Sequence, residues 1–129
     1  MAEAKTTTTK KRRVLIIEDE RPLAHALELK LVSSGYETVI APTGSEGLKE
    51  AQTKSYNLIL LDLIIPGIDG FGVLRELKGK KITTPVIVLS NLGQAEDQER
   101  AKELGVKEYY VKSNTPLATI VDTVKKILK

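Results

Sequence analysis

Glu18, Asp19, Asp62, Ser90 and Lys112 each close or follow a short apolar run, so acids, a hydroxyl and an ammonium stand where strands would end. In an open parallel sheet, ligands bind outside the carboxyl ends of the strands, where the strand order reverses, and that rule gathers these side chains at one rim. Clustered carboxylates are costly without compensation, so Glu18, Asp19 and Asp62 call for a cation. With oxygen ligands alone the fitting ions are hard and divalent. Mg2+ is favoured over Ca2+ because it binds through few carboxylates and keeps waters that a phosphoryl oxygen could replace. By formal count, Mg2+ and Lys112 offset the three acids. A phosphoryl group on Asp62 would add up to ~2 negative charges and three acceptor oxygens. The metal, the Lys112 ammonium and the Ser90 hydroxyl are the groups able to meet them, and phosphoryl capture by a carboxylate depends mainly on such positioning and neutralisation.

The elements that must carry these residues follow from periodicity. Short runs of Val, Ile and Leu alternate with longer segments of helical spacing, the signature of an α/β fold in which helices cover a parallel sheet. Strands are expected at 14–18, 37–41, 57–62, 85–90 and 108–112, the first, third and fourth almost continuously apolar, as strands buried on both faces must be. Pro22 suits the first turn of a helix and Gly35 its end; Thr43 and Glu46 have capping-box spacing. Thr115 and Pro116 open a last helix whose Leu117, Ile120, Val121, Val124 and Leu128 form one apolar stripe. Segment 96–104 has few apolar residues, which fits either a helix able to move or an ordinary solvated one. His25, the only histidine, lies in the first helical segment and reads as structural or exposed.

Composition bounds the rest. A chain of 129 residues with 41% hydrophobic and 29% charged residues has the size and balance of one globular domain. Residues 1–13 hold five bases against one acid and the remainder 15 bases against 16 acids, so the net +3 belongs to the start of the chain. Residues 1–12 are therefore expected to form a flexible basic tail and 13–129 the folded domain, with nucleic-acid binding unlikely for that domain alone. Apolar runs are far shorter than the ~20 residues of a membrane span, and the N-terminus lacks a signal-peptide core, so a cytoplasmic protein is expected. With no cysteine, disulfides and thiolate metal sites are excluded.

The run ending in the acidic pair Glu18–Asp19, LILLDLIIPGIDG at 58–70, VIVLS at 86–90 and YYVK at 109–112 together resemble the response-regulator receiver family of two-component signalling, including its stand-alone, chemotaxis-regulator-like members, over residues 13–129. The resemblance implies a flavodoxin-like, doubly wound five-stranded parallel sheet of order 2-1-3-4-5 with helices on both faces. It implies that Asp62 is the phosphoacceptor, Asp19 a direct Mg2+ ligand, Glu18 a ligand through water and the Ile64 backbone carbonyl a further ligand. Lys112 would pair with the phosphoryl group, and Ser90 and Tyr109 would form the switch pair, with Tyr110 the competing aromatic beside it. Such domains catalyse their own phosphorylation and dephosphorylation without being turnover enzymes in the ordinary sense. The implied partners are a sensor histidine kinase or phosphotransfer protein, and a downstream protein reading the face of helix four, strand five and helix five.

Three features depart from the family's pattern. Ser113 follows Lys112 where proline, often after a cis peptide, is usual, so either a trans bond with an altered loop or a strained cis bond is expected. Asn91 after Ser90 is larger than usual, and its amide would either narrow access or touch the phosphoryl group. Ile64 and Leu92 are apolar where polar groups are common, and an apolar fence would slow hydrolysis of an acyl phosphate. Among competing functions, a phosphorylation-independent binding module has no need of the full acid set with Ser90 and Lys112. A Mg2+-dependent hydrolase would need a second acid-base group and a substrate pocket. A flavin site would need a Thr/Ser-rich phosphate loop where the chain reads EDERP.

Overall fold

The computed structural model describes residues 11–129, so the expected tail lies outside the described residues except for Lys11 and Arg12, which are exposed and in no regular element. The strands are β1 (Arg13–Ile17), β2 (Glu37–Ala41), β3 (Leu58–Leu61), β4 (Val86–Ser90) and β5 (Glu108–Val111). Between and after them run α1 (Arg21–Ser33), α2 (Gly44–Thr53), α3 (Gly70–Gly79), α4 (Ala95–Glu103) and α5 (Leu117–Ile127). All pairings are parallel and the order is β2-β1-β3-β4-β5, the doubly wound arrangement expected.

Alternation along each central strand divides the core between two faces. Leu15, Ile17, Ile59, Leu61 and Val88 pack with Leu48, Phe71, Leu74, Leu77 and Ala101, so α2, α3 and α4 cover one face. Val14, Ile16, Leu58, Leu60, Ile87 and Leu89 pack with Ala24, Leu27, Leu31, Ile120, Val121 and Val124, so α1 and α5 cover the other. Because β3 reads LILL and is buried at every position, no amphipathic period marks it; only a strand sandwiched between helix layers suits such a run.

Local chemistry fixes the helix ends. Thr43 Oγ1 accepts from the Glu46 N–H at 3.1 Å and in turn donates to the Glu46 side chain, so the expected capping pair starts α2. Gly35, at φ +97°, supplies the left-handed residue after α1. At α3 the constraint is space rather than torsion: a Cβ on Gly70 would lie 2.5 Å from Leu63 Cα and 2.7 Å from the Asp62 carbonyl oxygen. Glycine here lets the helix start press against the loop that carries Asp62.

Candidate functional site

The parallel register sets the site. Ile17 of β1 is level with Leu61 of β3, and Leu61 with Val88 of β4, so Glu18 and Asp62 emerge side by side at one end of the sheet. Ser90 is level with Val111, which places Lys112 one step beyond the end of β5 on the same rim. The structure brings Glu18, Asp62, Ser90 and Lys112 together and buries Glu18, Asp62 and Ser90.

Each polar atom is held. Asp62 Oδ1 accepts from the Ile64 N–H at 3.0 Å, and Asp62 Oδ2 accepts from Lys112 Nζ at 2.7 Å. Glu18 Oε2 accepts from the Glu20 N–H at 3.0 Å, and both Glu18 oxygens lie 3.0 Å from Lys112 Nζ. The Ser90 hydroxyl accepts from the Leu92 N–H at 3.3 Å. Among the described residues no buried side-chain polar atom lacks a partner.

Electrostatics show that one lysine does not neutralise the rim. Burial, aided by the charge of Asp62, pushes the Glu18 carboxyl up to about 7 against the hydrogen bonds from Glu20 and Lys112. Burial alone would depress Lys112, but hydrogen bonds to Asp62, Glu20 and Glu18 outweigh it and hold the ammonium above the usual lysine range. Carboxylate oxygens of Glu18, Glu20 and Asp62 lie within 4.8 Å of one another. The two buried members, Glu18 and Asp62, offer only oxygen donors and leave negative charge beyond what Lys112 offsets, which fits a hard divalent cation.

Glu20 was not among the residues singled out from the sequence. It is the third acid of the run EDE, and its Oε1 accepts from Lys112 Nζ at 2.5 Å. Asp19, by contrast, is exposed and lies outside the grouped carboxylates. Asp19 occupies the bend between β1 and α1, where the strict alternation of a strand no longer holds, and Glu18 and Glu20 on either side of it meet Lys112.

The tyrosine ambiguity resolves by the same alternation. Tyr109 packs on the α4 side, its phenol donating to the Leu92 carbonyl, whereas Tyr110 packs on the other face with its hydroxyl 2.6 Å from Thr123 Oγ1. Burial first, then the charges of Asp97 and Asp62, raises the Tyr109 phenol to about 12.

The departures at Asn91 and Ser113 prove to be two ends of one contact. All peptide bonds of the described residues are trans, Lys112–Asn114 forms a 3-10 turn, and Lys112 keeps its place against Asp62, so the expectation of a strained bond is removed. The Ser113 N–H, which a proline would lack, donates to Asn91 Oδ1 at 3.1 Å. The Asn91 side-chain oxygen therefore braces the turn after β5, a role neither sequence alternative included. The apolar fence is also corrected in part: the Ile64 side chain is 54% exposed at the rim, while Leu92 is half-buried and packs into the core. His25 is exposed on α1, 3.5 Å from Glu28. Among the described residues no helix is long and apolar enough to cross a membrane.

Residues 14–125 match the family described as the response regulator receiver domain. Similar proteins include the probable transcriptional regulator ycf27 of Cyanophora paradoxa, 39% identical over 106 residues covering 82% of this chain and 44% of that protein. The cell cycle response regulator CtrA of Brucella ovis is 37% identical over 100 residues, covering 78% of this chain and 43% of that protein. The chain thus spans less than half the length of these curated relatives. Among solved structures, the receiver domain of the Francisella response regulator 1452 superposes with a TM-score of 0.86 at 28% identity, covering 91% of this chain and 96% of that one. With five parallel strands in the order β2-β1-β3-β4-β5 and a lysine-bound, buried aspartate at their carboxyl ends, the chain belongs to the response regulator receiver domain family, the phosphoryl-accepting switches of two-component signalling.

Proposed function

We propose that Asp62 takes the phosphoryl group of a phosphohistidine on a sensor kinase or phosphotransfer protein, and that the face of α4, β5 and α5 changes in response. The observation that carries this reading is the buried Asp62 carboxylate with one oxygen 2.7 Å from Lys112 Nζ, at a rim whose acids exceed its bases. In the transfer, an Asp62 oxygen forms the new bond to phosphorus as the phosphorus–nitrogen bond breaks, and the imidazole leaves with the electron pair and takes up a proton. Mg2+ would be held by Asp62, the Ile64 carbonyl and, through water, Glu18, with the exposed Asp19 turning in beside them to complete the set; when bound it would supply neutralisation of the phosphoryl charge. Lys112 orients the acceptor before transfer and pairs with a phosphoryl oxygen after it. Ser90, at the end of the neighbouring strand β4, accepts from the Leu92 N–H and keeps its own hydroxyl proton to donate to a phosphoryl oxygen. Movement of Ser90 would disturb Leu92, whose carbonyl holds the Tyr109 phenol, and so pass to β5 and α4. The names of the relatives as regulators describe those proteins; for residues 13–129 we assign a protein-binding output rather than nucleic-acid contact.

Incubation with acetyl phosphate and Mg2+ followed by intact mass should add one phosphoryl group to the wild type and none to Asp62→Asn; equal labelling of both would refute the assignment. A second expectation concerns lifetime. The exposed Ile64 side chain at the rim hinders the attacking water, so Ile64→Asn should shorten the phosphoprotein lifetime several-fold, roughly 1 kcal/mol of barrier; an unchanged or longer lifetime contradicts it.

A further inference from the structure

We propose that Glu20 gates Lys112: it occupies the third donor of the ammonium in the resting protein and yields that donor to the phosphoryl group. The inference rests on the reading of Asp62 as acceptor and deepens it. A lysine ammonium has three N–H donors and no acceptor. In this site all are engaged, by Glu18 at 3.0 Å, Asp62 at 2.7 Å and Glu20 at 2.5 Å. An arriving phosphoryl oxygen can bind Lys112 only where one of these lets go.

Exposure decides which one. The Glu18 and Asp62 side chains are 3% and 4% exposed, and a buried carboxylate stripped of its partner bears the full desolvation cost. The Glu20 side chain is 58% exposed, so its carboxylate returns to water with little loss. Glu20 also places a negative charge on the open side of a site that must admit a dianion, and its repulsion opposes the donor until it swings away. Its side chain makes no capping hydrogen bond to α1, so the helix start does not depend on it. Glu20 is thus a positioning residue, acting through Lys112.

The test uses the full chain with Mg2+ and acetyl phosphate, comparing wild type, Glu20→Ala, Glu20→Gln and Glu20→Asp. The KM for acetyl phosphate should fall about two- to fivefold in the Ala and Gln variants, the scale of one exposed charge interaction. The Asp variant should return toward wild type, and the Mg2+ affinity of all four should agree. An unchanged or raised KM overturns the gate, as does a matching loss of Mg2+ affinity, which would make Glu20 a metal ligand. A wild type that takes no phosphoryl group at Asp62 fails at the earlier step, and removes the acceptor reading together with the gate.

Discussion

Helices α4 and α5 flank the same edge strand, β5, yet they are held to it very differently. Helix α5 buries Ile120, Val121 and Val124 among the side chains of α1, β1, β3 and β4. Helix α4 buries Ala101 alone; the Arg100 guanidinium 3.9 Å from the centre of the Phe71 ring, the Lys78 ammonium 3.4 Å from the Glu103 carbonyl and the half-buried Leu104 at its C-cap add the rest. Strand β5 supplies one tyrosine to each side, Tyr110 toward α5 and Tyr109 toward α4. One half of this face thus has a broad apolar anchor and the other a narrow one, and under the proposed function the narrowly anchored half is the one expected to shift.

The largest effect should separate the two helices outright. Ile120→Ala removes a fully buried side chain from α5 and should cost about 2–5 kcal/mol in urea unfolding, whereas Arg100→Gln on α4 should cost only about 0.5–1 kcal/mol. Comparable losses would show that α4 is anchored as firmly as α5. A smaller effect probes the tie between the halves, the Ser113 N–H to Asn91 Oδ1 bond, which links the loop entering α4 to the turn entering α5. Asn91→Ala and Ser113→Pro should each cost about 0.5–1.5 kcal/mol, and the double variant no more than the larger single, because both delete one hydrogen bond; simple additivity would mean the bond carries nothing.

The smallest effect is a pH dependence on the α4 side. The Tyr109 phenol titrates near 12 in the folded chain against an ordinary 10. The folded state therefore keeps a proton that the unfolded state releases, and stability falls as pH rises from 10 to 12. Tyr109→Phe should make that fall shallower. Tyr56, raised to about 12 by burial and its bond to Glu50, contributes a similar slope from the α2 side that the variant leaves in place.

How much of this was legible in the sequence follows the physics of each part. Strands buried on both faces announce themselves, and the expected strands match those observed to within a residue at each end. The thin apolar face of α4 was legible from its composition, but composition left a movable helix and an ordinary solvated one equally open. The convergence of Asp62 and Lys112 was legible because charged groups at the ends of apolar runs have few structural uses, whereas Ser90 was legible only through its neighbours, since a serine after a buried strand is common. Glu20 was not: an exposed acid before a helix is ordinary, and only the geometry of the Lys112 ammonium gives it meaning. Asn91 and Ser113 read as unrelated departures because they are 22 positions apart and meet only in the folded chain.

Under the proposed function, capture of phosphorus at Asp62 changes the α4 half of the face and leaves the α5 half as reference. Hydrogen exchange read by mass spectrometry, before and after treatment with acetyl phosphate and Mg2+, addresses it most directly, with Asp62→Asn as control. Exchange should alter in peptides spanning 91–111 and change little in those of α1 and the core of α5, with the control unresponsive. A phosphorylated protein whose changes fall on α1, or are spread evenly over the chain, would contradict it.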